Sequence, residues 1–122
     1  MSERVSIASS ANPVALDLTE LQQEVTAKFF HGLSDLTRLR IIELLLDDGE
    51  RNVSDLVAVL GQSQGRISNH LACLRWCGYV DSRRDGKFVY YRVTDPRVRQ
   101  LIELARNVIA DNAAAIVSCT RM

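Results

Sequence analysis

The segment from Ser63 to Gly78 constrains the fold most strongly, because it carries the start, the stop and the apolar stripe of one helix. The hydroxyl of Ser63 suits an N-cap, since it can accept a backbone N–H of the first turn. Gly78 suits the C′ position, where a left-handed conformation costs glycine little. Between them, Ile67, Leu71 and Leu74 follow helical spacing. We therefore predict a helix here, with this stripe buried in a core.

The side of this helix opposite the stripe is small or polar over its first two turns. At about 100° per residue, the residues on that side are Gly65, Ser68, Asn69 and Ala72. A helix without bulky or acidic groups on its outer side can lie close in a DNA major groove. The segment also holds Cys73 and Cys77, four residues apart, on a flank beside the core. The helix is thus a candidate both for DNA recognition and for half of a sensor.

Three helical patterns precede this segment. The first spans about residues 18–31, the second about residues 35–46, and the third starts at its cap Ser54 and ends at Leu60. The residues that we expect to be buried in the second and third are Leu39, Ile42, Leu46, Leu56, Val57 and Leu60. A short helix, a turn containing glycine and a second helix together predict a helix-turn-helix.

After Gly78 the pattern changes to two β-rich runs, residues 79–84 and 87–93, joined by Asp85-Gly86. Two such runs around Asp-Gly are a strong hairpin signal. The hairpin carries three basic residues that could contact the phosphate backbone or the minor groove: Arg83, Arg84 and Lys87. Alternatively, these charges only keep an exposed sheet edge soluble. The predicted fold class is therefore mainly α with a β-hairpin wing, a winged helix-turn-helix.

The charge distribution favours an anionic partner near the middle of the chain. The 122 residues suffice for one domain, and the formal net charge is zero. Residues 63–94 hold six Lys/Arg against two Asp/Glu, whereas residues 1–62 hold five against ten. Such a local excess of positive charge suits DNA, although a solvated basic face would show the same pattern.

Other sequence features limit the compartment and the class of function. No apolar run is long enough to span a membrane and no signal-peptide pattern is found, so we predict no membrane partner and a cytoplasmic location. Residues 1–16 are expected to form a flexible tail. The three cysteines are expected to be reduced thiols. No Ser/His/Asp set, carboxylate pair or phosphate-binding glycine loop is recognisable, so we expect no enzyme.

A last helix is predicted over about residues 96–117, with Asp95 as cap and Pro96 at the first helical position. Its apolar side continues to its end. The central helices and the hairpin already supply the core of a small winged helix-turn-helix, so this helix and the first one are additional to it. A two-fold partner is the usual means of burying such stripes. We expect a homodimer through the N- and C-terminal helices; the alternative is that both helices complete a monomer core.

In the order and spacing of its motifs, the chain resembles the ArsR/SmtB family of bacterial metal-sensing repressors. The resemblance covers roughly residues 20–117 and is carried by Gly32–Leu45, Ser63–Gln64, Ser68–Leu71 with Leu74, Gly78–Val80 and Asp85–Gly86. It implies a homodimer that represses its double-stranded operator DNA in the apo state and releases it when the inducer binds. The family's operator contacts fall on Gln64, Gly65, Ser68 and Asn69. Arg66 and the three basic hairpin residues complete the predicted DNA-binding set.

The cysteines resemble those of one branch of that family. The helix before the recognition helix lacks the cysteines of arsenic-type members, and the last helix lacks the histidines of zinc- and nickel-type members. Cys73 and Cys77, with Cys119 near the C-terminus, resemble the cadmium/lead-sensing branch, where the third thiolate comes from the other protomer's tail. The resemblance implies Cd(II) or Pb(II) as inducer, a core domain of residues 17–117, and a tail of residues 118–122 carrying the third ligand.

The residue types support a soft-metal site and leave alternatives open. Cysteines at i and i+4 have Cβ atoms about 5–6 Å apart, and thiolates select soft ions. Three sulfurs suit lead, cadmium or mercury better than four-coordinate structural zinc, so Hg(II) is also an expected inducer. The cysteines could instead be inert or sense oxidants or persulfides, and the chain could dimerise without binding DNA. His70 on the same flank is expected to be structural, and Trp76 to pack on the wing or a partner chain.

Overall fold

The computed structural model describes residues 18–120, so the predicted tail of residues 1–16 lies outside the described part. The described chain contains five helices and three short strands. In chain order they are α1 (Leu18–His31), α2 (Leu36–Asp48), β1 (Arg51–Asn52), α3 (Val53–Leu60), α4 (Gln64–Trp76), β2 (Asp81–Asp85), β3 (Phe88–Arg92) and α5 (Pro96–Ser118). Within residues 18–120, no helix combines the length and the apolar character that crossing a membrane requires.

The core forms around α4, as the sequence predicts. Ile67, Leu71 and Leu74 are fully buried, and they belong to one apolar cluster with residues of α2, α3 and α5. The predicted stripe of α2 is only partly right: Leu39 and Leu46 are half-buried. The most buried residues of α2 are instead Ile41, Ile42 and Leu45. This helix meets α5 as well as α4, so a different arc of its surface is covered.

Two charged contacts attach α5 to α2. Arg106 forms an ion pair with Glu43 at 2.7 Å, and Arg99 donates a hydrogen bond to the carbonyl oxygen of Leu46 at 2.6 Å. Burial on α5 is confined to its first turns, where Val98 and Ile102 enter the core. Every described residue after Ile102 is exposed in the single chain.

The wing is a three-stranded antiparallel sheet in the order β1-β3-β2. The sequence predicts β2 and β3 but misses β1, in which Arg51 pairs with Tyr91 and Asn52 with Tyr90. This pairing also overturns the predicted cap of α3, because Asn52, not Ser54, accepts the hydrogen bond of the Asp55 amide at 2.9 Å. The sheet already holds Asn52 in the extended conformation that an N-cap needs.

The hairpin turn lies one residue later than predicted. Asp85 is still paired with Phe88, so Gly86 and Lys87 form the loop, with Gly86 at φ 64°. Glycine tolerates this left-handed conformation without steric cost. The first strand also starts later than expected, because Tyr79 and Val80 are buried in the core and strand pairing begins at Asp81.

Both ends of α4 are capped as predicted. The Ser63 hydroxyl accepts a hydrogen bond from the Arg66 amide at 3.3 Å. At the other end, the Tyr79 amide donates to the Leu74 carbonyl at 2.9 Å and the Gly78 amide to the Arg75 carbonyl at 3.1 Å. These two bonds form a Schellman motif, which explains why Tyr79 turns into the core.

We predict that Gly78→Ala destabilises the protein by about 1–2 kcal/mol, the usual cost of a left-handed alanine. Gly78 has φ 86°, and an added Cβ would meet no atom within 4 Å, so only backbone strain is tested. Gly65→Ala is the matched control, because that added Cβ also meets nothing and the residue lies in a helix. Urea unfolding should show the control as stable as the parent or slightly more stable. Equal losses in both variants would contradict the Schellman assignment.

Candidate DNA-binding surface and thiol site

The side of α4 opposite its apolar stripe, formed by Gly65, Ser68, Asn69 and Ala72, is exposed and carries no bulky group. Its predicted DNA contacts are all exposed: Gln64, Gly65, Arg66, Ser68 and Asn69. Two amides, a hydroxyl, a guanidinium and a glycine that allows close approach suit base edges and phosphate in a major groove.

A polar bridge fixes the turn before α4 onto α2. The Gln62 amide nitrogen donates to the hydroxyl of buried Thr37 at 2.6 Å. The Gln62 carbonyl oxygen accepts a long hydrogen bond from Nε of Arg66 at 3.4 Å. This hydrogen bond orients the guanidinium of Arg66, while the side chain remains exposed.

The three basic residues of the wing are not equivalent. Arg83 donates two hydrogen bonds to the Glu50 carboxylate, each 2.6 Å long, and its guanidinium lies 4.9 Å from the centre of the Tyr90 ring. The hydrogen bond from Arg83 lowers the pKa of Glu50, so the pair stays ionised. Arg84 and Lys87 are exposed and form no ion pair with another residue of the described chain. These two charges remain available for a phosphate backbone, whereas Arg83 anchors the wing.

Cys73 and Cys77 are free, half-buried thiols on one flank of α4. They line a shallow pocket of about 490 Å³ with Lys28, His31 and Gly32 at the end of α1. Gly32 is buried, and a Cβ added to it would lie 3.2 Å from the Cys77 sulfur. The absence of a side chain at Gly32 thus makes room for the thiol. The sequence patterns did not indicate this role, because it depends on how the end of α1 packs against α4.

The electrostatics of the pair keep Cys77 protonated in the metal-free protein. Burial raises the pKa of its thiol, and the neighbouring Cys73 raises it further through its charge and a hydrogen bond. The positive charge of Arg38 acts in the opposite direction. Two adjacent thiols open to solvent fit a soft metal ion, which displaces the protons when it binds.

Cys119 lies far along the chain, at the C-cap of α5, and is exposed. Among residues 18–120, no three side chains of the His, Cys, Asp or Glu type are arranged to hold a metal ion. The single described chain therefore brings together two of the three predicted ligands, and Cys119 stays apart from them.

The aromatic residues near α4 differ in exposure. Tyr79 is buried, stacks on Phe29 with ring centres 4.5 Å apart, and donates its hydroxyl proton to the Phe29 carbonyl at 2.7 Å. It is therefore unavailable to nucleic acid. Trp76 is 88% exposed, so the predicted packing on the wing is wrong in the single chain.

The comparisons with known proteins agree with this architecture. The profile of the bacterial regulatory protein, arsR family, matches residues 35–82. A Streptomyces lividans protein named "Probable mercury resistance operon repressor" is 52% identical over 99 residues, covering 81% of this chain and 78% of that protein. The chain belongs to the arsR family. Family members are DNA-binding transcriptional regulators, which confirms the prediction that the chain is not an enzyme.

Further relatives of this arsR-family chain come from metal-resistance systems and from solved winged helices. The "cadmium resistance transcriptional regulatory protein CadC homolog" of Staphylococcus aureus is 37% identical, covering 77% of this chain and 78% of the relative. The homodimeric winged helix-turn-helix DNA-binding domain Mb0332 of Mycobacterium bovis has a TM-score of 0.70 at 29% identity, covering 84% of this chain and 94% of that one. The predicted fold class is thereby confirmed.

We predict that Arg84→Gln weakens binding to a random-sequence duplex and lowers the slope of log affinity against log salt by about one, as expected for one lost phosphate contact. Arg83→Gln is the matched control, since it removes the same charge from a residue already paired with Glu50. It should leave the salt slope unchanged and lower the stability of the protein only slightly, because an ion pair that solvent reaches contributes little. Fluorescence anisotropy across a salt series measures the salt slope of each variant, and urea unfolding measures the stability of each. A larger slope change for Arg83→Gln would reverse the assignment.

Proposed function

We propose that the protein is a homodimeric, metal-responsive transcriptional repressor. In this proposal the metal-free dimer binds operator DNA, and a soft ion, Hg(II), Cd(II) or Pb(II), weakens that binding. The ion is held by Cys73 and Cys77 of one protomer and by Cys119 of the partner subunit. The single observation that carries the proposal is the adjacent pair of accessible thiols on the flank of the recognition helix.

The distribution of ligands within the chain supports a dimer. Two thiols share one pocket, whereas Cys119 is exposed at the end of α5. The half of α5 that leads to Cys119 carries large exposed apolar side chains: Leu104, Val108, Ile109, Ile116 and Val117. A second copy that covers this face buries it and can carry its own Cys119 toward the thiol pair. Of the predicted tail, residues 118–122, Ser118 still belongs to α5 and residues 121–122 lie outside the described part, so Cys119 is the residue proposed to reach the partner.

The choice of ion follows from ligand chemistry and from the relatives. Thiolates prefer soft ions, and three of them without a fourth ligand suit trigonal Hg(II), Pb(II) or Cd(II). The printed names of two relatives refer to mercury and to cadmium resistance. DNA recognition is assigned to the exposed side of α4 together with Arg84 and Lys87, with Arg66 as an additional phosphate contact. We also propose that the protein is located in the cytoplasm.

The test of the metal site is an ultraviolet titration of the reduced protein with each ion in turn. We expect intense sulfur-to-metal charge-transfer bands that saturate at one ion per protomer and are lost in Cys77→Ser and in Cys119→Ser. Ser118→Ala is the control, because it alters the residue beside Cys119 without removing a thiol. No band with any of the three ions would refute the metal site; loss of DNA binding with peroxide or polysulfide alone would then indicate a redox sensor.

Metal affinity should increase with pH. Burial, followed by the charge of Cys73, raises the pKa of Cys77, so the thiol is protonated near neutral pH and must lose a proton to bind the ion. Raising the pH lowers this cost until the pH passes the thiol pKa. We expect about a tenfold gain per pH unit for each displaced proton, measured by competition with a chelator between about pH 6 and 8. A flat profile would show that Cys77 is not a ligand.

A mixed dimer tests which chain supplies the third thiolate. One protomer carries Cys119→Ser and the other carries Cys73→Ser. If the site is shared between chains, both changes fall in the same site, and the other site binds one ion per dimer with the parent's affinity. If each site is built within one chain, both sites are damaged. Ion stoichiometry from the charge-transfer bands separates the two arrangements.

A further inference from the structure

Arg38 of α2 joins the recognition helix to the surroundings of the thiol pair. Its Nε donates a hydrogen bond to Nδ1 of His70 at 3.1 Å. His70 lies on α4 three residues before Cys73, and the Arg38 charge also acts on the Cys77 thiol. One guanidinium is therefore hydrogen-bonded to a residue of α4 that lies one turn before Cys73, and its positive charge opposes the increase in the pKa of Cys77.

The geometry defines how His70 is bound. Arginine Nε always carries a hydrogen, so Nδ1 of His70 must be the acceptor, and the neutral ring carries its proton on Nε2. That nitrogen lies 3.8 Å from Oδ2 of Asp35, and the same carboxylate oxygen accepts the Arg38 amide at 3.1 Å as the N-cap of α2. Only 13% of the His70 side chain is exposed. The N-terminal end of α2 thus holds the ring through the Arg38 hydrogen bond to Nδ1, and the Asp35 carboxylate lies near the other nitrogen.

Metal capture changes the charge that faces Arg38. Thiols lose their protons when they bind a metal. Three thiolates and one divalent ion therefore carry one net negative charge, where three thiols carry none. A guanidinium binds an anionic group more strongly than a neutral ring nitrogen, so the filled site competes with His70 for Arg38.

We propose that Arg38 is a positioning residue that transmits metal binding to the recognition helix. In the metal-free protein it holds His70, and with it α4, in the DNA-binding position. When the thiolate site fills, Arg38 turns toward that site and its hydrogen bond to His70 is lost. This inference rests on the proposed function and adds the residues through which the two sites communicate.

The first experiment needs no metal and uses an operator duplex selected by the wild-type protein from random-sequence DNA. We expect Arg38→Gln to weaken metal-free binding about tenfold, equivalent to about 1.4 kcal/mol. Arg40→Gln is the matched control, since it removes the same charge from an exposed residue two positions along α2 and should change affinity far less. Thermal unfolding verifies that each variant is folded. Equal losses for both variants would overturn the inference.

A pair of changes at His70 separates the hydrogen bond from general packing. In His70→Asn the amide oxygen takes the place of Nδ1 and can still accept from Arg38, whereas His70→Leu removes the acceptor. We expect metal-free DNA affinity near that of wild type for His70→Asn and about tenfold weaker binding for His70→Leu. Equal affinities of the two variants would exclude the hydrogen bond as the positioning contact.

The response to metal is followed on the histidine rings by 15N NMR. The chain has two histidines, so His31→Gln assigns the His70 signals. Titration with Cd(II) should shift Nδ1 of His70 away from its hydrogen-bonded value in the wild type, whereas Arg38→Gln should start at the shifted position and stay there. Charge-transfer bands in the wild type with no shift at His70 would overturn this inference and leave the proposed function intact. Absence of those bands would instead remove the proposed function itself.

Discussion

Burial of one apolar stripe on α4 is the interaction on which the rest of the structure depends. Ile67, Leu71 and Leu74 have no exposed surface, and truncation of such a residue to alanine typically costs about 2–5 kcal/mol. Because a helix has a fixed angular period, seating this stripe also fixes what the remaining sides present. The side away from the core presents small and polar groups to solvent, where we propose that DNA binds, and the flank between that side and the core carries two thiols. The burial of this one stripe therefore fixes the position of both candidate functional surfaces.

Polar contacts from α2 and the strand region refine this placement. Thr37 and Arg38 reach the recognition element through Gln62 and His70, while Glu50 fixes the wing through Arg83. Apolar packing alone would allow α4 to rotate slightly about its buried stripe. These directional hydrogen bonds restrict that rotation. They also provide the contacts that a nearby change of charge can break. In the proposed mechanism, the contacts that position α4 for DNA binding are also the contacts that metal binding changes.

The single chain is incomplete in two related ways. The distal half of α5 exposes a row of apolar residues, and the thiol pair lacks a third ligand within residues 18–120. In the proposed dimer, a second copy covers this face and supplies the third ligand, because α5 ends at Cys119. Under this proposal, dimerisation, metal binding and the spacing of the two recognition helices all depend on one interface.

Much of the architecture follows from the sequence by itself, because caps, turns and apolar periodicity depend on residues a few positions apart. These local rules correctly place the helices, the wing, the exposed side of α4 and the flank that carries both cysteines. They place the cap of α3 and the stripe of α2 incorrectly, because strand pairing and a second packing partner act there from a distance. Only the tertiary structure decides which charged side chains are paired with others. Arg83 donates to Glu50, 33 residues away in the chain, and Arg38 donates to His70, 32 residues away. Such pairs depend on how elements pack, and no local pattern in one sequence records that.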